Sequence, residues 1–288
     1  LKLSIASGKG GTGKTLVTTS LAASLHARMG EGRIAIADCD VEEPNSYLFF
    51  PDRTLLEKER CQVAVPVIDE EKCTHCGKCS EVCAYHALAV LPGTVLIFPE
   101  LCHGCGACSI VCPEKAISEG SRSVGEIFHA RSDGMDIIWG ELALGEARAT
   151  PLIKAVKEKA QGDTVIVDCP PGTSCSMVES VRGSDFCLLV TEPTPFGLYD
   201  LDIALRVLDK MKIPQAVLVN KSGVGDRKLY RYLEEKKIPL LMEIPLDRKI
   251  AEIYSRGEIF VLHMPEWKER FVELAKRIEE MIACCRSL

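Results

Sequence analysis

Two sets of residues in this sequence have the types and spacing that chemistry requires. The first is Gly8-Lys9-Gly10-Gly11-Thr12-Gly13-Lys14-Thr15, which fits the phosphate-loop pattern G-x-x-x-x-G-K-[ST]. Its glycines let backbone N–H groups turn inward around phosphate oxygens, and a helix opening at Lys14 adds the positive end of its dipole. Lys14 is placed to reach the β- and γ-phosphates of ATP, and the Thr15 hydroxyl to ligate Mg²⁺. The second set is Cys73-x2-Cys76-x2-Cys79-x3-Cys83 followed by Cys102-x2-Cys105-x2-Cys108-x3-Cys112-Pro113. Thiolates this close in sequence are poorly placed for a disulfide framework and well placed to converge on metal. Zinc favours two pairs of ligands, whereas two complete runs of four fit iron–sulfur clusters. Gly77, Gly104 and Gly106 let the backbone wrap closely and aim N–H groups at sulfur.

Single residues extend the first set. Asp168 ends the apolar run Val165-Ile166-Val167, where a carboxylate can hold Mg²⁺ directly or through water. Asp38 and Asp40 flank Cys39 after a second apolar run, and Asn220 follows a third; alone, either could be an ordinary turn. His75 and His103 lie inside the cysteine runs, which already supply four thiols each, and are read as loop histidines.

The elements that must position these groups alternate between strand and helix. Leu1–Ala6 reads as a buried strand, Lys14–Arg28 as a helix and Arg33–Ala37 as a second buried strand, the start of a βαβ fold. From Val65 to Ile117 the pattern breaks into Cys- and Gly-rich sequence with short apolar pieces at Ala87–Leu91 and Thr94–Phe98. A polar joint is expected at Gly120–Gly125. Beyond it come a helix at Thr150–Lys159 and strands at Thr164–Val167, Phe186–Thr191, Ala216–Val219 and Leu240–Ile244. Helices at Leu198–Met211 and Asp226–Lys236 lie between them. The expected fold is α/β, a doubly wound and mostly parallel sheet over residues 1–65 and 119–288. A small α+β module is inserted at 66–118. Within the module, Glu71–Ala87 and Glu100–Ala116 repeat the same cysteine spacing.

Composition sets outer limits. Apolar residues make up 47% and charged residues 26% of the 288, enough for a sizeable core. A net charge of −6 argues against a broad nucleic-acid-binding face. No apolar run reaches the ~20 residues that span a bilayer, and no signal peptide is read at the start. Fifteen cysteines, seven of them outside the two runs, point to a reducing, cytoplasmic setting. Cys169 and Cys175, near Asp168, and the tail pair Cys284-Cys285 are read as packed or free thiols. Trp267, Phe271, Leu274, Ile278 and Met281 form a helical stripe expected to pack on the domain, with no stable membrane association.

With its second lysine, Lys9, the loop resembles the deviant phosphate loop of the MinD/ParA/Mrp and nitrogenase-iron-protein superfamily. The resemblance covers nearly all of residues 1–50 and 160–288. It implies an ATP-dependent homodimer in which Lys9 reaches the partner's nucleotide, Asp40 orients the attacking water, and Asp38 lies near Mg²⁺. It also implies that Asn220 and the Pro245 segment flank adenine. The run Asp168-Cys169-Pro170-Pro171-Gly172-Thr173 is similar to the second switch of the Mrp/MinD branch. The cysteine runs resemble those of bacterial two-cluster ferredoxins, in which the fourth cysteine crosses to the other cluster. That implies one [4Fe–4S] cluster on Cys73, Cys76, Cys79 and Cys112, and another on Cys102, Cys105, Cys108 and Cys83. Ala84 stands where the first run often has proline. The combination resembles a group of archaeal and anaerobe MinD-type ATPases with an inserted ferredoxin domain. Three functions follow as expectations: an ATP-driven switch coupled to electron transfer to a redox or iron–sulfur partner; a cluster or metal carrier; and a positioning ATPase with redox-sensing clusters.

Overall fold

The computed structural model describes residues 1–29 and 32–286. The first βαβ unit runs β1 (Lys2–Ala6), α1 (Lys14–Met29) and β2 (Ile34–Asp38). After a 3-10 turn at Ser46–Phe49 comes a long strand, β3 (Thr54–Ile68), then α2 (Lys78–Val82), β4 (Leu88–Leu91), β5 (Thr94–Ile97) and α3 (Ala107–Val111). A second long strand, β6 (Ile117–Ser132), returns to β7 (Met135–Leu142). The alternation resumes with α4 (Thr150–Lys159), β8 (Thr164–Asp168), α5 (Cys175–Val181), β9 (Phe186–Thr191), α6 (Pro195–Met211), β10 (Gln215–Ser222), α7 (Lys228–Glu235) and β11 (Leu240–Pro245). Three helices finish the chain: α8 (Arg248–Ser255), α9 (Phe260–His263) and α10 (Pro265–Arg286).

Nine strands form one sheet in the order β11-β10-β9-β1-β8-β2-β7-β6-β3. The run from β11 to β7 is parallel; β6 and β3 add antiparallel strands at one edge. Alternate side chains of the central strands feed two cores. Ile5, Ile36 and Ile166 face α1, α8 and α10; Ala6, Ala37 and Val167 face α4, α5 and α6. Such two-sided burial is why these strands read as unbroken apolar runs. The α10 stripe lies in the first core, with Trp267, Phe271, Leu274 and Ile278 buried and Met281 partly so.

The edge ribbon corrects one expectation. Gly120–Gly125 is not a polar joint but part of β6, paired with β3 from Val65 to Cys61. The ribbon extends away from the sheet, and residues 69–116 sit at its tip. There β4 and β5 form a separate two-stranded sheet. The sequence repeat becomes a structural one: α2 and α3 each start after a left-handed glycine, Gly77 at φ 85° and Gly106 at φ 70°. Only glycine enters that region without strain, and the turn lets each helix fold back on its cysteine loop.

Candidate functional site

The phosphate loop spans the gap from β1 to α1, at the C-terminal ends of the parallel strands, where open α/β sheets bind ligands. Its glycines are required by their surroundings. A Cβ on Gly8 would lie 2.3 Å from the Asp200 carbonyl oxygen on α6, and one on Gly13 would lie 2.3 Å from Asn220 Nδ2. Gly10 and Gly11 face open space. Lys14 and Thr15 are both 8% exposed, held in the first turn of α1. Thr12 Oγ1 is buried with no partner.

Three aspartates converge beneath the loop. Asp38 and Asp168 are register partners at the ends of β2 and β8 and are 0% and 1% exposed. Asp38 accepts backbone N–H bonds from Asp40 (3.1 Å), Asn45 (3.0 Å) and Ser46 (2.8 Å), so both its oxygens organise the following loop. Asp168 Oδ2 accepts from the Ser46 hydroxyl at 3.0 Å, while its Oδ1 is buried without a partner. Burial, then the neighbouring Asp38 charge, pushes the Asp168 carboxyl up to about 7, against the pull of Lys14. Burial and Asp38 likewise bring Asp40 to about 6. Burial raises Asp38, outweighing its backbone hydrogen bonds. Crowded carboxylates with an orphaned oxygen beside Thr15 fit a divalent cation, whose charge would relieve all three shifts. The direct ligands this favours are Thr15 and Asp168, with Asp38 behind them.

Lys9 lies in its own subunit's grip. Its ammonium donates to Glu192 Oε1, while Lys221 Nζ donates to Glu192 Oε2 (3.2 Å) and to the Gly11 carbonyl (3.0 Å). Asn220 Nδ2 donates to the Thr12 carbonyl at 2.8 Å, so its side chain braces the loop. Pro245 ends β11 beside Ser222 on an exposed rim. Sequence reasoning missed Glu192, Ser46 and Tyr254. Glu192 carried a signal, since like Asp168 it closes a buried apolar strand. Tyr254 lies against Phe49 with ring centroids 4.9 Å apart, and its phenol, raised to about 12 chiefly by burial, faces Thr15. Nothing in its sequence context marked it.

At the ribbon tip the eight cysteines divide into two sets. Cys83, Cys102, Cys105 and Cys108 line one cavity of about 30 Å³; Cys73, Cys76, Cys79 and Cys112 line another of about 20 Å³. In each set, three thiols come from one run and the fourth from the other. Backbone N–H groups already point at sulfur: Ala87 to Cys83 and Ala116 to Cys112, both at 3.3 Å, and Gly104 to Cys102 at 3.4 Å. Among the described residues, no three His, Cys, Asp or Glu groups meet closely enough to hold a single metal ion. The thiols ring a space instead, a donor set that fits a polynuclear group. Cys39, Cys169 and Cys187 are buried elsewhere, in the core behind β2, β8 and β9, and Cys175, Cys284 and Cys285 are exposed. No described helix is long and apolar enough to cross a membrane.

Comparison with known proteins agrees with the geometry of the loop. The CobQ/CobB/MinD/ParA nucleotide binding domain matches residues 3–260. An uncharacterized protein of Methanocaldococcus jannaschii is 32% identical over 285 residues, covering 97% of this chain and 95% of its own length. The iron-sulfur cluster carrier protein of the same organism is 26% identical over 300 residues, covering 98% of this chain and 84% of its own. In fold, the chain is similar to the septum site-determining protein MinD of Pyrococcus horikoshii, solved with Mg-ADP: TM-score 0.59, 21% identity, 97% and 96% of the two chains covered. The α/β architecture and the phosphate loop thus have known counterparts, and the chain belongs to the CobQ/CobB/MinD/ParA family of nucleotide-binding proteins.

Proposed function

We propose that this protein is an ATP-hydrolysing iron–sulfur protein in which a nucleotide-driven dimer switch is coupled to electron transfer through two [4Fe–4S] clusters. The observation that carries the reading is the partition of eight cysteines into two sets of four around separate cavities, on one chain with a complete phosphate loop. Four thiolates per set, with N–H groups aimed at sulfur, suit retention of a cluster. Bound there, a [4Fe–4S] cubane supplies one-electron chemistry.

The chain's own residues do the rest. Loop N–H groups and Lys14 bind the phosphates of ATP. Thr15 and Asp168 would hold Mg²⁺, which when bound would offset the negative charge of the phosphates. Asp40, in the loop that Asp38 organises, positions water for attack on the γ-phosphate. Lys9 leaves Glu192 and reaches across a homodimer to the partner's nucleotide, acting as an arginine finger does. Exposed Phe196 and Tyr199 on α6, whose backbone packs on Gly8, and Leu246 beyond β11 give the site an apolar rim suited to a second copy. Turnover is slow while Lys9 is held in its own subunit, since the site is then incomplete.

A second reading, cluster delivery, is favoured by the similarity to proteins named iron-sulfur cluster carriers at 25–26% identity. The ATPase rate of anaerobically prepared protein, oxidised and then dithionite-reduced, with iron counted before and after turnover, separates the two. A redox-dependent rate with iron retained supports electron transfer. Iron that leaves for an apo-acceptor during turnover overturns it in favour of delivery.

A further inference from the structure

The two cysteine sets are not equivalent in their surroundings. The cavity of Cys73, Cys76, Cys79 and Cys112 is walled mainly by residues of the ribbon tip, among them Lys78, Val90, Val95 and Glu114, and meets the ribbon only at its last pair, Ile68 and Ile117. The cavity of Cys83, Cys102, Cys105 and Cys108 is walled on one side by the ribbon itself, at Ala64–Pro66 and Ser118–Glu119. Its loop is docked there closely: a Cβ on Gly104 would lie 3.0 Å from the Ala64 carbonyl oxygen.

A side chain from the main domain reaches this second set. Arg148 Nη1 donates to the Cys102 carbonyl. The guanidinium is held by Glu146, whose Oε1 accepts from Arg148 N at 2.9 Å and from Nε at 3.3 Å. Glu146 is in turn paired with Arg122 of β6 at 2.5 Å, and its side chain is 3% exposed. A cation this well fixed and poorly solvated acts strongly on nearby charge.

Arg148 also stands a few residues from the nucleotide site. Leu142 N, at the end of β7, donates to the Val41 carbonyl at 2.9 Å. Val41 follows Asp40 directly, in the loop that Asp38 organises. A shift of that loop on binding Mg²⁺ and ATP would reach Leu142 through this bond, and Arg148 through the segment Ala143–Ala147. On the other side, α4 starts two residues after Arg148 and spans about 15 Å. Near its far end, Lys157 Nζ caps the C-terminal end of α5 at the Glu179 (2.5 Å) and Arg182 (2.7 Å) carbonyls.

We propose that the set Cys83, Cys102, Cys105 and Cys108 is the nucleotide-responsive half of the module, and that Arg148 is the positioning residue linking it to the Asp38–Val41 loop. In electrochemical form this rests on the reading that the cysteines hold two clusters. Moving a cation relative to one cluster changes its potential, because charge and hydrogen bonding near the sulfurs set that potential. The distal set, with no such contact, keeps its own. ATP therefore adjusts one cluster of the pair and leaves the other as a fixed relay toward solvent.

The test is an EPR-followed reductive titration of the full chain, anaerobic and loaded with iron and sulfide. It is run with and without Mg²⁺ and a non-hydrolysable ATP analogue. The expected result is two signals, of which the one altered by Cys105→Ser shifts in potential with nucleotide while the one altered by Cys76→Ser does not. Arg148→Gln should keep its iron and its nucleotide affinity but lose the shift, and Arg148→Lys should keep only part of it. Equal movement of both signals, movement of neither, or a full shift in Arg148→Gln would overturn the proposal. Backbone amide exchange on the unmodified chain is the second measurement, and it needs no cluster. Nucleotide should change protection at residues 102–108 and not at 73–79; an equal response in both segments rejects the link. A chain that binds no iron defeats the cluster reading instead, and the amide exchange, repeated on Arg148→Gln, still decides whether Arg148 carries the signal: a response at 102–108 that survives the substitution rejects it.

Discussion

Asp168 carries a heavy electrostatic load in the nucleotide site, since it is buried, faces Asp38, and leaves one oxygen unpaired. Its carboxyl stands at about 7 in the fold against an ordinary 3.8. Between those values the folded, cation-free protein binds more protons than the unfolded chain. Its stability is therefore highest below about pH 4 as far as this group is concerned, and is lost as pH rises through about 7. Each unit of the shift is worth about 1.4 kcal/mol. Asp168→Asn should accordingly unfold at a higher temperature than the parent at pH 8 without Mg²⁺, and its melting point should depend less on pH between 5 and 8. Mg²⁺ with ADP should stabilise the parent and do little for the variant. Calorimetry across that range checks both statements, and an unchanged pH slope in Asp168→Asn would count against the site. Lys14, Thr15, Asp38 and Asp168 were legible in the sequence because a phosphate loop and strand-end carboxylates have fixed spacing. Ser46 and Tyr254 were not, because they reach the site only when the 3-10 turn and α8 are folded against it, and Glu192 was marked only by its place at the end of a buried apolar strand.

At the scale of elements, the central strands and the helices between them were legible because burial on both faces leaves long apolar runs. The ribbon was not. β3 opens with Thr54-Leu55-Leu56-Glu57-Lys58-Glu59-Arg60, all exposed, so its strand character comes from pairing with β6 and not from any buried face. The same reason made Gly120–Gly125 look like a joint. The module at the ribbon tip behaved differently, because its short repeated elements are tied to the cysteine spacing, and the sequence showed both. Its crossed arrangement has a consequence for mutagenesis. Cys112 lies in the second run but lines the cavity of Cys73, Cys76 and Cys79. Cys112→Ser should therefore perturb the same cluster signal as Cys76→Ser, with loss of up to about half the bound iron, and Cys83→Ser should perturb the other. Iron analysis with EPR on these three variants and on Cys105→Ser checks the pairing. If Cys112→Ser instead resembled Cys105→Ser, each run would hold its own cluster and the crossed reading would fail.

For the whole molecule, the question is how a loop at one end of the sheet drives anything outside its own chain. Lys9 engages Glu192 in its own subunit, so its use across a dimer requires that contact to break. The contact is partly solvated, with side-chain exposures of 29% and 14%, so its loss costs about 1 kcal/mol after screening. That is small enough for bound nucleotide to supply and large enough to hold the unliganded chain apart. Asp40→Ala, which removes the group assigned to water positioning, should bind ATP, hydrolyse it at least about a hundredfold more slowly, and accumulate as a dimer. Glu192→Gln in that background removes one such contact from each subunit and should tighten dimerisation about thirtyfold, the equivalent of about 2 kcal/mol. Phe196→Glu, on the exposed rim of the site, should leave ATP binding intact and abolish the dimer. Sedimentation velocity with Mg²⁺ and ATP distinguishes these outcomes. A monomer in every case would confine the switch to one chain, and Arg148 would then carry the nucleotide signal to the cysteines without a second subunit.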